Sequence, residues 1–354
     1  MDKDITLLKY SQSNNKRIRL LFLLMFFLLV LFFILDLFLG SVLISPGEIF
    51  RAVFNDAGEV TETILSKFRL PKAITALLAG IALSVSGLQM QTLFRNPMAG
   101  PYVLGLSSGA SLGVAVVILG FSSFIFPEGG SGLGNWAIAG ASWLGAGAIM
   151  LLIMMISARV KNIMTVLILG IMLSSAISAV VSILQYFSSE TMLKSYVIWT
   201  MGSLGNITGD QLKVMSIAVA TGVILSLISV KMLNAMLLGE DYARSIGLEV
   251  KASRNIIIAG TSILTGTVTA FCGPIGFIGI AVPHLSRMVF RTSDHRVLVP
   301  ATILTGSIIM LGSDMVSQLP GYETVLPINA VTALIGIPVV IWVILQNQKS
   351  REIF

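Results

Sequence analysis

The chain has 354 residues, of which 55% are hydrophobic and 11% charged, with a formal net charge of +6. Soluble domains carry about 25% charged residues, so this composition excludes a soluble globular protein and points to one built for lipid. The single cysteine, Cys272, excludes an intrachain disulfide, and the modest positive charge fits membrane topology better than nucleic-acid binding.

Ten apolar stretches predict membrane-spanning helices of about the length a bilayer requires. They lie near 20–44, 73–94, 103–122, 136–157, 163–187, 211–237, 256–272, 274–290, 298–316 and 327–346. The first follows Lys16, Arg17 and Arg19. It is too long for a signal-peptide core and lacks a small-residue cleavage pattern, so it is expected to stay, with 1–19 as a cytoplasmic tail. The seventh and eighth are short and separated only by Gly273 and Pro274. A second cytoplasmic tail, 347–354, follows the tenth.

Charge orients the chain. With the N-terminus inside, seventeen Lys and Arg residues fall on the cytoplasmic side; six (Arg51, Lys67, Arg69, Lys72, Lys194, Lys213) fall outside. That is the bias of the positive-inside rule. Both termini are then cytoplasmic, in a multi-pass inner-membrane protein. Spans two to five start outside and spans seven to ten start inside, the pattern of an inverted repeat.

"GEDYARSIGLEVKASRN", 239–255, is a polar block between spans six and seven, on the cytoplasmic side. Glu240 to Ile246 reads as a short helix with Glu240 and Asp241 in its first turn, where the dipole favours anions. Glu240 and Arg244 are placed as an i,i+4 pair. Gly247 is placed as the left-handed stop, followed by Leu248 as its apolar contact, and a second short piece is expected over Glu249–Arg254. Tyr242, Ala243 and Ile246 share a helical side, an apolar patch that suggests docking.

Elsewhere the bland readings lead on the residues alone. Pro97 makes "RNPMAG", Arg95 to Gly100, a helix-ending turn. Arg69 and Lys72 of "RLPK" read as cations snorkelling at the outer interface. Gly105, Gly109 and Gly113 form a stripe for close helix packing; Gly273, Gly276 and Gly279 serve packing and the sharp start of span eight. Asp36 and Asp314 lie toward the outer ends of their spans, an interfacial placement. His284 and His295 lack Cys, Asp or Glu partners at metal-ligand spacing and read as structural; no metal site, cofactor site or catalytic cluster is predicted. The sequence holds no G-x-x-x-x-G-K-[ST] phosphate loop. An ion-coupled secondary transporter would need intramembrane carboxylates, and only the two peripheral aspartates offer themselves. A membrane enzyme would need clustered reactive side chains in the spans.

From Arg69 to Leu345 the sequence resembles the permease subunits of the iron-siderophore and cobalamin (FecCD-type) ABC importers. The stretches that carry the resemblance are "RLPKAITALLAGIALSVSGLQMQTLFRNPMAGPYVLGLSSGASLG", "VIWTMGSL", "LGEDYARSIGL", "GPIGFIGIAVPHLSR", "DHRVLVP" and "GIPVVIWVIL". The resemblance implies an all-α type II ABC importer permease fold over 20–346, with coupling helices over 239–254 set in a groove of a separate ATPase. By it, Gly239, Glu240, Asp241, Ala243, Arg244 and Gly247 form the coupling element. Asn96, Met98 and Thr165 belong to a cytoplasmic gate, and Arg69 and Lys72 receive acidic side chains of a substrate-binding protein. A third basic docking site is replaced here by Gln318. The implied partners are two ATPase copies, the binding protein and a second permease copy or paralogue, with no nucleic acid. The pathway would follow the two-fold axis along spans five and ten and the "YVIWTMGSLG" segment. The implied cargo is a metal chelate, with ferric siderophore expected first and cobalamin or haem as alternatives. Span five lacks a central arginine, which disfavours haem.

Overall fold

Lipid offers the backbone no hydrogen bonds, so spanning segments must close their own, as helices do. The computed structural model describes residues 2–39, 47, 58–120, 131–160, 162–318 and 324–351, and every regular element among them is helical. The α-helices are α1 (Asp2–Phe38), α2 (Glu59–Ile64), α3 (Leu70–Leu93), α4 (Leu106–Ala115), α5 (Ser131–Arg159), α6 (Ile163–Tyr186), α7 (Glu190–Met201), α8 (Gly209–Ile228), α9 (Val230–Met236), α10 (Glu240–Ser245), α11 (Val250–Cys272), α12 (Ile278–Phe290), α13 (His295–Ser317) and α14 (Ile328–Arg351). Among the described residues seven helices are long and apolar enough to cross a membrane, and three shorter apolar ones cover 106–120, 278–290 and 328–343. Together they overlie the ten predicted stretches. Positions 40–44, 121–122 and 352–354, with Arg51 and Lys161, lie outside the described residues.

The ends differ from expectation for local reasons. The supposed N-terminal tail is helical from Asp2, and α14 runs on to Arg351, so both tails largely extend their spans. Span two starts well before residue 73: α2, a π-turn over Leu65–Arg69 and α3 form one continuous helix. Pro71 does not break it. A π-turn already interrupts the i→i−4 ladder, and the proline, whose N–H is missing, sits directly after it, at the start of α3. Span six is two pieces, α8 and α9, meeting at Ser229. The expected second coupling helix over 249–254 is the first turn of α11 rather than a separate element.

α3 and α11 form the buried centre. α3 is rich in alanine, glycine and serine, so neighbouring backbones can approach closely, the packing that membrane helices use in place of a hydrophobic drive. Gly80 faces the Gly306 carbonyl of α13, and Ser84 Oγ donates to the Thr302 carbonyl at 3.0 Å. Gly87 faces Gly279 of α12; Gly109 and Gly113 of α4 face Gly145 and Ala141 of α5, as the glycine stripe predicted. A Cβ at Gly87 would land on the Gly279 backbone. Gly87→Ala should therefore destabilise the protein by at least the 1–3 kcal/mol typical of overpacking. Gly147→Ala, with nothing within 4 Å of its would-be Cβ, should be near neutral. Thermal melting of both variants in detergent checks this.

The contacts repeat by halves. α3 packs on α13 as α11 packs on α5; α12 packs on α3 as α4 packs on α11. Within the halves, α4 meets α5 and α6 as α12 meets α13 and α14. Exchanging the group α3–α6 for α11–α14 preserves this set of neighbours, the arrangement expected of an internal repeat. α1 stands outside the repeat, against α13, and also reaches the end of α12, with Phe22 and Phe290 rings 4.8 Å apart and Arg17 donating to the Val289 carbonyl at 3.2 Å.

Candidate functional site

At the N-terminal end of α11, the polar block folds as predicted in its punctuation and differently in its pairing. Gly239 (φ 108°) and Gly247 (φ 86°) bracket α10; both angles lie where glycine is favoured. Gly247 N–H donates to the Arg244 carbonyl at 3.1 Å and Leu248 N–H to the Ala243 carbonyl at 3.0 Å, which closes the helix. Arg244 pairs with Asp241 at 3.1 Å, not with Glu240. Glu240 instead faces Arg254, whose Nε donates to Oε1 at 2.7 Å and whose Nη2 bonds the other carboxylate oxygen. Ala243 does not share an outward patch with Tyr242 and Ile246. It is fully buried, in a cluster with Leu233, Met236, Val250, Ile163 and Val166. Its small side chain lets α10 lie against the body, and Tyr242 and Ile246 remain exposed.

Two turns of the same design flank this block. After α3, Asn96 Oδ1 accepts from Met98 N–H at 2.9 Å; before α6, Asn162 Oδ1 accepts from Met164 N–H at 2.9 Å. Asparagine side chains that bond the backbone two residues on hold such turns. Both methionines are exposed, and so is Thr165, one residue further on. Sequence reading selected Thr165 and passed over Asn162 and Met164; the Asn-x-Met spacing shared with Asn96–Met98 was the signal available. The first turn is fastened from behind. His284 Nε2 lies 2.8 Å from the Pro97 carbonyl, and Arg287 donates to Gln91 Oε1 at 2.6 Å. Below it, His295 bridges Thr92 and Asn234, each at 2.8 Å, and Asp294 accepts from Asn234 at 2.7 Å. Burial works against the Asp294 charge, but bonds from the Arg296 N–H and the Asn234 amide prevail and hold its carboxyl below the ordinary carboxylate range. His284 thus holds α12 to the turn after α3, and His295 ties α13 to α3 and α9.

At the other end of α3 lies a cavity of about 1190 Å³. Arg69, Lys72, Trp199, Phe271, Asp314 and Gln318 are among its walls, with the 201–206 segment that follows α7. That segment is the end of the predicted "YVIWTMGSLG" lining; no residue of α6 contributes to this cavity. Gly202 (φ 74°) and Gly273 (φ 75°) let the segment turn against α11, where Ser203 N–H donates to the Cys272 carbonyl at 2.8 Å. Arg69 is buried and donates to the carbonyls of Leu37 and Phe38, at 2.7 and 3.0 Å, capping the last turn of α1. Lys72 Nζ lies 3.1 Å from Asp314 Oδ1. Gln318 donates to Asp314 at 2.8 Å and to Asp36 at 3.4 Å. Both aspartates, expected at a watery interface, are buried inside this network.

Known proteins resemble this chain over most of its length. Residues 28–346 match the model of the FecCD transport family. The vitamin B12 import system permease protein BtuC of Escherichia coli O9:H4 (strain HS) is 35% identical over 317 residues, 89% of this chain and 92% of that protein. A solved metal-chelate type ABC transporter in an inward-facing conformation superposes with a TM-score of 0.80 at 29% identity, over 91% of this chain and 98% of its own. PsaBC from Streptococcus pneumoniae shares the fold at a TM-score of 0.53 and 16% identity, over 80% of this chain and 93% of its own.

Proposed function

Because this chain belongs to the FecCD transport family, we propose that it is the inner-membrane permease of an ATP-driven importer that carries a large metal chelate by alternating access. The observation that carries the reading is α10: a capped polar helix outside the apolar bundle, rooted by buried Ala243, with Tyr242 and Ile246 exposed. An exposed apolar pair on a charged helix suits a groove of an ATPase subunit. The phosphate loop that the sequence lacks belongs to that subunit. Gly239, Glu240, Asp241, Ala243, Arg244 and Gly247 are the coupling element.

Two copies of the permease, or this chain and a paralogue, enclose the pathway and meet two ATPase subunits. The exposed apolar faces of α6 (Ile168, Met172, Ile183) and α14 (Leu334, Ile341) suit that axis. Asn96, Met98 and Thr165 form the inner gate, with Asn162 and Met164 completing it. Arg69 and Lys72 mark where a binding protein docks on the outer face; its acidic side chains must compete with Asp314 for Lys72. The relatives named for vitamin B12 import favour a corrinoid cargo over the ferric siderophore that the sequence alone suggests.

Reconstitution tests the whole reading. Liposomes holding this permease, its ATPase and its binding protein should take up cobalamin, or a ferric siderophore, only with ATP inside. Uptake driven by an ion gradient without ATP would overturn it. The gate has its own test. Cysteines at Met98 and Met164 should crosslink in one nucleotide state and far less in another; equal crosslinking in all states would remove the gate from these turns.

A further inference from the structure

We propose that Arg254 is the strut that ties the coupling helix α10 to the inner gate. It is a positioning residue, and the inference rests on the coupling role proposed above for α10. Arg254 lies in the first turns of α11 and is 2% exposed. Arginine is almost never buried so fully unless its charge is matched. Here Nε and Nη2 grip both oxygens of Glu240, the first residue of α10. The remaining nitrogen, Nη1, donates to the Val160 carbonyl at 3.2 Å. Val160 stands just past the end of α5 and two residues before Asn162, which caps α6 and sets the Met164 turn.

One planar group therefore joins three segments: the coupling helix, the buried central helix and the connection that leads into the gate. The space around it is filled. Ala243, Val250, Ile163 and Val166 belong to one buried cluster, with Val160 and Leu248 packed on it. Close-packed interiors transmit displacement instead of absorbing it. A push on α10 therefore reaches the start of α6 through the guanidinium and through this packing together. The other arginine of the block cannot do this. Arg244 is exposed and, among the described residues, its side chain bonds within its own helix, to Asp241. Nor is lysine a substitute, since a single ammonium cannot present a fork to Glu240 and a third donor to Val160 at once.

The experiment measures cargo taken up per ATP hydrolysed, in liposomes holding the full transporter. Arg254→Lys should keep ATPase association and ATP hydrolysis, while cargo per ATP falls by roughly tenfold or more, the scale of losing a charge-assisted hydrogen bond. The Met98–Met164 cysteine crosslink should then lose its nucleotide dependence. Exchanging the pair, Glu240→Arg with Arg254→Glu, restores a match to α10 but leaves no donor for Val160. Its cargo per ATP should therefore stay as low as that of Arg254→Lys. If Arg254→Lys fails to fold, Glu240→Gln, which keeps shape and loses the charge, is measured in the same way. Cargo per ATP equal to the parent in whichever of the two variants folds overturns the strut. Tyr242→Glu with Ile246→Glu separates the two ideas. If that variant still recruits the ATPase, the coupling reading itself fails. If it does not, and Arg254→Lys transports like the parent, only the strut fails.

Discussion

Ala243→Arg should abolish cargo uptake, by about 100-fold or more, in a protein that still inserts into the membrane. The methyl group of Ala243 is fully buried against Leu233, Met236, Val250 and Ile163. An arginine there brings overpacking, typically about 1–3 kcal/mol, and an unmatched buried charge, which costs several more. α10 has only six residues, and isolated helices that short are unstable in water, so it must undock and melt. The flanking apolar helices do not depend on it. Hydrogen exchange should show the amides of 240–245 unprotected in the variant and protected in the parent, with the spans unchanged. Ala243→Gly should be far milder, about 1 kcal/mol of helix propensity. Parent-like uptake by Ala243→Arg would mean that α10 does not lie as the structure has it.

Asp314→Ala should lower the stability of the folded protein by about 3 kcal/mol. Asp314 is fully buried and answers Lys72, whose side chain is 17% exposed. Removing one member of a buried pair strands the other, at a cost of about 3–5 kcal/mol; the partial exposure of Lys72 to the cavity puts the value at the low end. Replacing both, Lys72→Met with Asp314→Leu, should recover most of the loss, because an apolar pair strands no charge. Thermal melting of the parent, Lys72→Met, Asp314→Leu and the double variant gives the coupling directly. Additive effects would show that the 3.1 Å contact carries no energy. The same pair bears on docking. If an acidic partner competes for Lys72, Asp314→Asn should bind the binding protein more tightly than the parent at low salt, and the difference should fade as salt screens it.

The spans were legible because hydropathy is a local property, and each of the ten apolar stretches needed only its own residues to declare itself. The bounds of α10 were legible for a similar reason, since Gly239 and Gly247 mark positions where backbone geometry favours glycine. Partners were not. Glu240 has Arg244 one turn away and Arg254 fourteen residues on; local rules choose the near arginine, and burial chooses the far one. Ala243 looked outward beside Tyr242 because a short amphipathic helix has no intrinsic inside. Arg69 and Lys72 read as surface cations, since nothing in "RLPK" announces that α1 ends beside one and Asp314 faces the other. Thr165 was chosen over Asn162 and Met164 because it came from the family resemblance, and the Asn-x-Met spacing the two turns share went unused.

The π-turn over Leu65–Arg69 has a consequence for how this chain can vary. Such a turn holds one residue more than a regular helix needs. Deleting one residue from 65–69 would close the ladder into plain α-helix and leave α2 close to its present phase on α3, whereas the same deletion in regular α-helix would swing it by about 100°, the angle of one helical step. The change would fall on the side chains of the turn itself, Arg69 at the end of α1 and exposed Phe68 among them, while α3 kept every contact downstream. The bulge thus works as a spare residue at the rim of the cavity, one whose loss does not re-phase the helices on either side. Loss of one residue at 65–69 should therefore be tolerated for insertion and folding, whereas the same loss within 75–92 would misalign Gly80, Ser84 and Gly87 with their partners and destroy the fold.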